Sequence, residues 1–225
     1  MRENLRENLL LASLPSSVGH ALVPELHPVY LRRQTPLNQN GAVDVYFPLS
    51  CVISVITQTA EGQSVQNLLV GFEGALTIAG TAGTRAMVQI EGEALRMSRG
   101  AYLRLLKDDE FRELMEAYRD DAFALAGQAA VCQAFHATEQ RLAFWLAAIR
   151  DRVLADDLLL TQEYLASMLG VRRPTVTIAA GILQSAGLIS YRYGRVTIVD
   201  LEGLRDSACE CYALTAASLT RFGRH

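Results

Sequence analysis

Four arginines but only one acidic residue lie between residues 161 and 199, in a chain whose formal net charge is -3. They form two groups, Arg172 with Arg173 and Arg192 with Arg195. Guanidinium groups bind phosphate oxygens through paired hydrogen bonds, so a local concentration of them is typical of a surface that binds a polyanion. The pattern predicts contact with a nucleic-acid backbone. The alternative is an ordinary solvated surface on a small helical subdomain.

Two short helices and a hairpin are predicted to position these arginines. Thr161 is a good N-cap and Gly170 a good left-handed C-cap, which predicts a first helix between them. A second helix should start near Arg173-Pro174 and end at Gly187, because proline is tolerated in a first turn. Two short strands then pair across Tyr193-Gly194. This order predicts a winged helix-turn-helix, whose second helix fits a DNA major groove.

The same region resembles a known family. The segment LTQEYLASMLGVRRPTVTIAAGILQSAGLI, followed by YGRVTIVD, resembles the DNA-binding domain of the Crp/Fnr (cyclic-AMP receptor protein) superfamily. Upstream, VYFPLSCVISVITQTAEGQSVQNLLVGFEGAL is similar to the sensor barrel of that family. The resemblance implies a homodimeric transcriptional regulator that reads an inverted repeat in double-stranded DNA. It also implies RNA polymerase and a small-molecule effector as partners, with the effector's identity left open.

The resemblance also assigns roles to individual residues. It places Arg173, Thr175 and Thr177 on the exposed start of the recognition helix, with Arg173 as the candidate for a guanine contact. Phosphate contacts are expected from Gln162, Arg172, Arg192 and Arg195. Pro174 and Ile178 stand where relatives have glutamate and arginine, so we expect a different base preference.

The N-terminal part of the chain shows the alternation of a β-sheet. After a short amphipathic helix and repeated prolines, which suggest a cap, Val43, Val45 and Phe47 begin a period of two that continues to Ser98. Several short strands with regular turns predict an antiparallel barrel or jelly roll, so the whole chain is predicted to be α+β. Whether the barrel encloses a pocket or a packed core is left open.

Cyclic-nucleotide sensors of the resembled family use a glycine-glutamate pair and an arginine followed by a small residue. Gly71, Glu73, Arg85 and Ala86 occupy roughly these places, but Phe72 intervenes in the first pair. An anion needs a fixed cation, and only Arg85 offers one here. The sequence therefore allows a cyclic-nucleotide site at these four residues, a closed barrel, or a barrel with another ligand.

A long helix is predicted from about residue 108 to residue 136. Apolar and small residues recur in it at alternating steps of four and three, the seam of a two-stranded coiled coil. This predicted dimerisation seam consists of Phe111, Met115, Tyr118, Ala122, Leu125, Ala129 and Cys132. The alternative is an amphipathic helix lying on its own barrel. We expect a sensor domain at 1–107, the dimerisation helix at 108–137 and a DNA-binding domain at 138–225.

Other functions find little support in the sequence. No nucleophile has a local base and no carboxylates pair on one face, so no catalytic residue is predicted. Cys209 and Cys211 form the only close cysteine pair, but a tetrahedral site needs two more ligands, and only His225 is near in sequence. No metal and no cofactor are therefore predicted.

The composition of the sequence indicates where in the cell the protein works, and one alternative to DNA binding remains open. The cysteines form no disulfide framework, the N-terminus is unlike a signal peptide, and no apolar run could span a bilayer. A cytoplasmic protein without membrane contact is expected. The other function class is a cyclic-nucleotide or small-ligand sensor whose winged helix contacts protein instead of DNA.

Overall fold

The computed structural model of the chain describes residues 2–37, 44–77 and 83–222. Its N-terminal half contains two three-stranded antiparallel sheets. The first sheet has the order β1-β6-β2, with β1 at Leu26–Leu31, β2 at Val45–Pro48 and β6 at Gly92–Met97. The second has the order β4-β3-β5, with β3 at Val52–Gln58, β4 at Ser64–Val70 and β5 at Thr84–Ile90.

An apolar core lies between the two sheets. It includes Ile53 and Val88 from the second sheet and Ala94 from the first, all fully buried. Two isolated bridges, Pro36 with Met87 and Tyr46 with Leu76, add to the pairing. The α+β, antiparallel prediction is confirmed, although the described strands form two sheets instead of one closed barrel. Val43, which was predicted to begin the alternation, is outside the described residues.

Short N-terminal helices cover one end of these sheets. They are α1 (Arg2–Glu7), α2 (Leu9–Ala12) and α3 (Ser16–Leu22), followed by a 3-10 turn at Val23–Glu25. Asn8, which is fully buried, donates hydrogen bonds of 2.9 Å from Nδ2 to the carbonyl oxygens of Pro48 and Gly74. Its Oδ1 accepts from the Leu11 amide at 3.1 Å. One buried amide thus caps α2 and fixes two sensor loops.

The connection to the C-terminal half is helical. After α4 (Arg99–Leu105), the long helix α5 occupies Asp109–Phe135, about 40 Å at the α-helical rise. It begins at the N-cap Asp108, whose side chain accepts from the Phe111 amide at 3.0 Å. Among the described residues, no helix combines the length and the apolar character that crossing a bilayer requires.

The C-terminal half is built around α6 (Thr138–Val153), whose residues from Leu142 to Ile149 are all buried. Around it lie α7 (Gln162–Leu169), α8 (Arg173–Ser185) and the hairpin of β8 (Ile189–Arg192) and β9 (Arg195–Ile198). A further strand, β7 (Asp157–Leu159), pairs with β9. It was not predicted, because three residues are too short to show a period of two.

The end of the chain does not form one continuous helix. Two helices are present, α9 (Leu201–Asp206) and α10 (Cys211–Arg221). Asp200 caps α9, and Ser207 ends it by donating its backbone N–H to Arg205 and Gly203. The break lies at residues 207–210 and turns the chain back toward α5.

Candidate nucleic-acid interface

Helix α8 has one buried face and one exposed face. Its buried face consists of Val176, Ala179, Ala180 and Leu183, as the sequence predicts. Its outward face is formed by Arg173, Pro174, Thr177, Ile178, Gly181 and Ile182, which are all exposed. Two of these residues are large and apolar: the exposed fraction is 66% for Ile178 and 48% for Ile182. An exposed face that carries both cations and isoleucines is suited to contact a partner.

The turn before α8 places two arginines at a helix N-terminus. Gly170 ends α7 at a φ of 63°, in the left-handed region that favours glycine. Arg172 is the N-cap of α8, and its carbonyl oxygen accepts from the Thr175 amide at 3.0 Å. The side chains of Arg172 and Arg173 are exposed at the first turn of α8. Two cations and the helix dipole therefore attract an anion to one place.

The hairpin tip carries the other two arginines. Tyr193 and Gly194 have φ values of 49° and 76°, which a type I′ turn requires at both central residues. A Cβ atom on Gly194 would lie 3.3 Å from Cγ2 of Thr161, so the tip packs against the start of α7. Arg192 and Arg195 face each other in the β8–β9 register, and both are exposed. Directly opposed like charges repel, and an anion between them would relieve the repulsion.

These four arginines stand apart from the ion pairs formed by the described residues. Arg150 pairs with Asp156 at 2.9 Å and Arg205 pairs with Asp151 at 2.8 Å, but among the described residues no ion pair includes Arg172, Arg173, Arg192 or Arg195. The cluster therefore keeps its positive charge.

The remaining residues that are predicted to bind DNA lie on the two helices of the helix-turn-helix. Gln162 and Thr175 are half-buried, in the first turns of α7 and α8. Thr177 is exposed and its hydroxyl donates to the Arg173 carbonyl oxygen at 3.1 Å. The hydroxyl oxygen of Thr177 can still accept a hydrogen bond from a binding partner. All seven candidates thus lie on α7, α8 or the hairpin.

Among the four candidate ligand-binding residues of the N-terminal half, Glu73 is engaged by groups of the chain itself. Glu73 is buried and accepts from Nε of Arg152, on α6, at 2.8 Å. It also accepts from the Gly71 amide at 3.2 Å. The carboxylate that a ribose would need is therefore already bound to the C-terminal half of the same chain.

Arg85 and Ala86 lie elsewhere on the sensor. Both belong to β5, where Arg85 is exposed and Ala86 is buried. Among the described contacts, none joins Arg85 to Glu73. Sequence reasoning missed Arg152, because its position on a helix of the other domain gives no local signal.

The residues of the predicted dimerisation seam pack mainly within the chain itself. Phe111 and Met115 are almost fully buried in the core formed with the N-terminal helices and the first sheet. Tyr118 is buried and donates from its hydroxyl to the Ala75 carbonyl oxygen at 2.9 Å, and this burial raises its pKa. The seam residues are Phe111, Met115, Tyr118, Ala122, Leu125, Ala129 and Cys132, of which Ala122 and Leu125 are half-buried and the rest buried. This face lies on the chain's own domains, the alternative that the sequence left open.

The opposite face of α5 is exposed. It presents Phe123 with an exposed fraction of 82%, Phe135 with 80%, and Val131 with 42%. Gly127 and Ala130 are exposed between them. The periodicity that predicted the seam located an apolar stripe, but it could not say that the stripe belongs to the intramolecular core.

Cys209 and Cys211, for which only His225 is near in sequence, have two other potential ligand residues close in space. The break between α9 and α10 brings them to Cys132 and His136, at the end of α5. A hydrogen bond with Cys132 lowers the pKa of Cys209 to about 6, whereas burial raises the pKa of Cys211. His225, the ligand considered from the sequence, lies outside the described residues. The signal for the true neighbours was the spacing of Cys132 and His136, one helical turn apart.

Comparisons with known proteins agree with this architecture. Residues 140–207 match the family model of the Crp-like helix-turn-helix domain. A search of curated proteins found no significant match.

Solved structures with this fold include a protein from Eubacterium rectale described as a Crp/Fnr-family regulator. It is 15% identical, with a TM-score of 0.68, and the match covers 88% of this chain and 96% of that chain. FixK2 from Bradyrhizobium japonicum is 13% identical, with a TM-score of 0.67 and coverage of 82% and 98%. The c-di-GMP-responsive regulator CLP from Xanthomonas campestris is 14% identical, with a TM-score of 0.64 and coverage of 82% and 99%.

Proposed function

We propose that this chain, a transcriptional regulator of Crp/Fnr type by its helix-turn-helix domain and its fold, acts as a homodimer that reads an inverted repeat in double-stranded DNA. The observation that carries the proposal is the unneutralised group of four arginines at the start of α8 and at the hairpin tip. DNA supplies phosphates along both edges of a major groove, where such a group would bind them. In this proposal the regulator works in the cytoplasm and contacts RNA polymerase beside its site.

Base recognition is assigned to the outward face of α8. Arg173 is proposed to donate both hydrogen bonds to O6 and N7 of a guanine, while Thr175 and Thr177 contact neighbouring bases. Ile178 replaces a charged side chain of relatives with an exposed apolar one, which suits the methyl group of a thymine. We therefore expect an operator with thymine near that guanine.

Backbone recognition is assigned to the other candidates. Arg172 and Gln162 flank the first turns of the two helices, and Arg192 and Arg195 flank the hairpin turn. Their contacts would fix the register of α8 in the groove and carry affinity instead of sequence preference. The unfavourable pairing of Arg192 with Arg195 supports this role, because a phosphate would bridge both.

Dimerisation is assigned to the exposed face of α5. Phe123, Phe135 and the small residues Gly127 and Ala130 would pack against the same residues of a second copy. Two α8 helices related by a two-fold axis must lie about 34 Å apart to enter successive major grooves. We keep the division into a sensor at 1–107, a dimerisation helix at 108–137 and a DNA-binding domain at 138–225 as part of this proposal.

The sensor is proposed to act through a ligand other than a cyclic nucleotide. The ion pair between Glu73 and Arg152 supports this, since ribose binding at Glu73 would require a buried arginine to lose its partner. A ligand that favours one packing of sensor and DNA-binding domain would shift the population of DNA-competent dimers. Calorimetry with cyclic AMP and cyclic GMP should show no binding heat.

The decisive experiment selects bound fragments from random DNA and then tests variants on the selected site. Arg173→Ala should reduce the preference for that site over random DNA by about 10-fold or more, following the 1–3 kcal/mol of a bidentate base contact. Arg192→Ala should weaken binding to the selected site and to random DNA equally. It should also lower the slope of log affinity against log salt concentration by about one. Arg104→Ala is the control, because Arg104 is an exposed arginine paired with Glu25 in the sensor domain. Equal loss on both DNAs for Arg173→Ala would show that this residue contacts only phosphate.

A further inference from the structure

Three cysteines and a histidine come together where α5 meets the C-terminal helices. They are Cys132, His136, Cys209 and Cys211, whose ligand atoms all lie within 4.8 Å of one another. Cys132 and His136 are one turn apart at the end of α5, and Cys209 and Cys211 flank the start of α10. The three cysteines are buried and are free thiols. Among the described residues this is the only such group found.

Two of the separations are close to the edge of a tetrahedral zinc site. Sγ of Cys132 lies 3.6 Å from Sγ of Cys209, and Sγ of Cys211 lies 3.4 Å from Nδ1 of His136. Zinc binds sulfur at about 2.3 Å and nitrogen at about 2.0–2.1 Å, so neighbouring ligand atoms of a tetrahedron stand about 3.5–3.8 Å apart. A cluster of several irons needs ligands spread over several metal atoms, which four atoms this close cannot supply. We propose that Cys132, His136, Cys209 and Cys211 bind a single Zn²⁺ ion.

The surroundings complete the charge balance of the site. Three thiolates and one Zn²⁺ ion carry a net charge of -1, and a positive charge should accompany it when buried. Arg141 is buried beside Cys132 and Cys209, and its Nε atom has no partner within the described part of the chain. The other end of its guanidinium donates to the Leu169 carbonyl oxygen. A protonated cluster would leave this buried cation without an anion, whereas the zinc site supplies one.

Two outer residues orient the ligands. Nε2 of Gln128 donates to Sγ of Cys211 at 3.2 Å. Nε2 of His136 lies 3.8 Å from a carboxylate oxygen of Glu210, which leaves Nδ1 facing the sulfur atoms. Metal-bound histidines ordinarily direct their second nitrogen to a carboxylate or carbonyl, because this fixes the ring and its tautomer.

A site closed by four protein ligands has a structural role instead of a catalytic one. This ion would hold the end of α5 to the start of α10 and to the core that surrounds α6. It would thus fix how the DNA-binding domain sits on the long helix, at a place separate from the sensor sheets. Zinc binding itself is independent of the proposed function, because it can be measured without DNA.

The test uses the full chain, purified under reducing conditions without chelators and supplied with Zn²⁺. Elemental analysis should find one zinc per chain, and Co²⁺ in its place should give the thiolate charge-transfer absorption and strong visible bands of tetrahedral sulfur coordination. The double variant Cys209→Ser/Cys211→Ser should lose both signals. Cys51→Ser is the matched control, since Cys51 is a buried free cysteine in the sensor core, and it should keep both.

A milder variant keeps the test interpretable if the double variant does not fold. Gln128→Leu removes only the outer hydrogen bond to Cys211 and should weaken zinc affinity about 10-fold with the fold retained. Wild-type protein with no more zinc than the double variant would overturn the proposal. So would a metal-free protein whose mass spectrum shows a disulfide between Cys132 and Cys209. Reactivity of the three thiols of Cys132, Cys209 and Cys211 that appears only after chelation would support it.

Discussion

The ion pair between Arg152 and Glu73 should be the strongest polar link between the N-terminal sheets and the helices of the C-terminal half. Its atoms lie 2.8 Å apart, and the side chains are only 1% and 8% exposed. Arg152→Met keeps much of the side-chain volume but leaves a buried carboxylate with one remaining donor, the Gly71 amide. Removing one partner of a buried pair costs about 3–5 kcal/mol, a large share of the roughly 5–15 kcal/mol that stabilises a domain.

Urea unfolding followed by circular dichroism measures this cost. Arg150→Met provides a matched control on the same helix, because the pair of Arg150 with Asp156 is 25% and 55% exposed and should contribute less than about 1 kcal/mol. The double variant Arg152→Met/Glu73→Gln should lose less stability than the sum of its single variants, since it leaves no unpaired charge. If Arg152→Met and Arg150→Met had equal effects, the reasoning from burial would be refuted.

Three other outcomes follow from contacts described above. Gly71→Ala should destabilise the protein by about 1–3 kcal/mol in the same urea assay, because its Cβ would lie 2.8 Å from Oε2 of Glu73 and 2.9 Å from Cδ of Arg152. Phe123→Glu should shift the protein toward the monomer in sedimentation experiments with unchanged circular dichroism, and an unaltered dimer would exclude the exposed face of α5 as the interface. Thr161→Ala removes the cap of α7, a 3.2 Å bond from the Tyr164 amide, and should cost about 1 kcal/mol; no change in the urea midpoint would contradict it.

The part of the fold that could be predicted from the sequence is the part encoded by neighbouring residues. Thr161 and Gly170 bound α7 because caps act within one turn, and Gly194 marks the hairpin turn because glycine adopts a positive φ without strain. The helical spacing of the apolar residues in α8 is sufficient to predict which face of this helix is buried. These local signals were sufficient to predict the helix-turn-helix.

The parts that were missed depend on contacts between distant residues. A stripe at positions such as Phe111 and Met115 shows that a face of α5 is buried, but a sequence does not say whether the covering surface belongs to the same chain. Arg152 meets Glu73 across 79 positions, and Cys132 meets Cys209 across 77. Such pairs become visible only when the packing of the domains is known.

The buried Asn8 gives the first residues of the chain an importance that their amphipathic pattern alone would not suggest. A protease cut or a shortened start that removed this side chain would remove its hydrogen bonds to the carbonyl oxygens of Pro48 and Gly74, which contribute about 0.5–1.5 kcal/mol each. The adjacent Leu9 amide, which donates to the Phe72 carbonyl oxygen at 2.7 Å, would be lost or displaced as well. The loop that carries Glu73 would then lose the contacts that hold it in place. Truncation of the N-terminus would therefore also disturb the ion pair between Glu73 and Arg152.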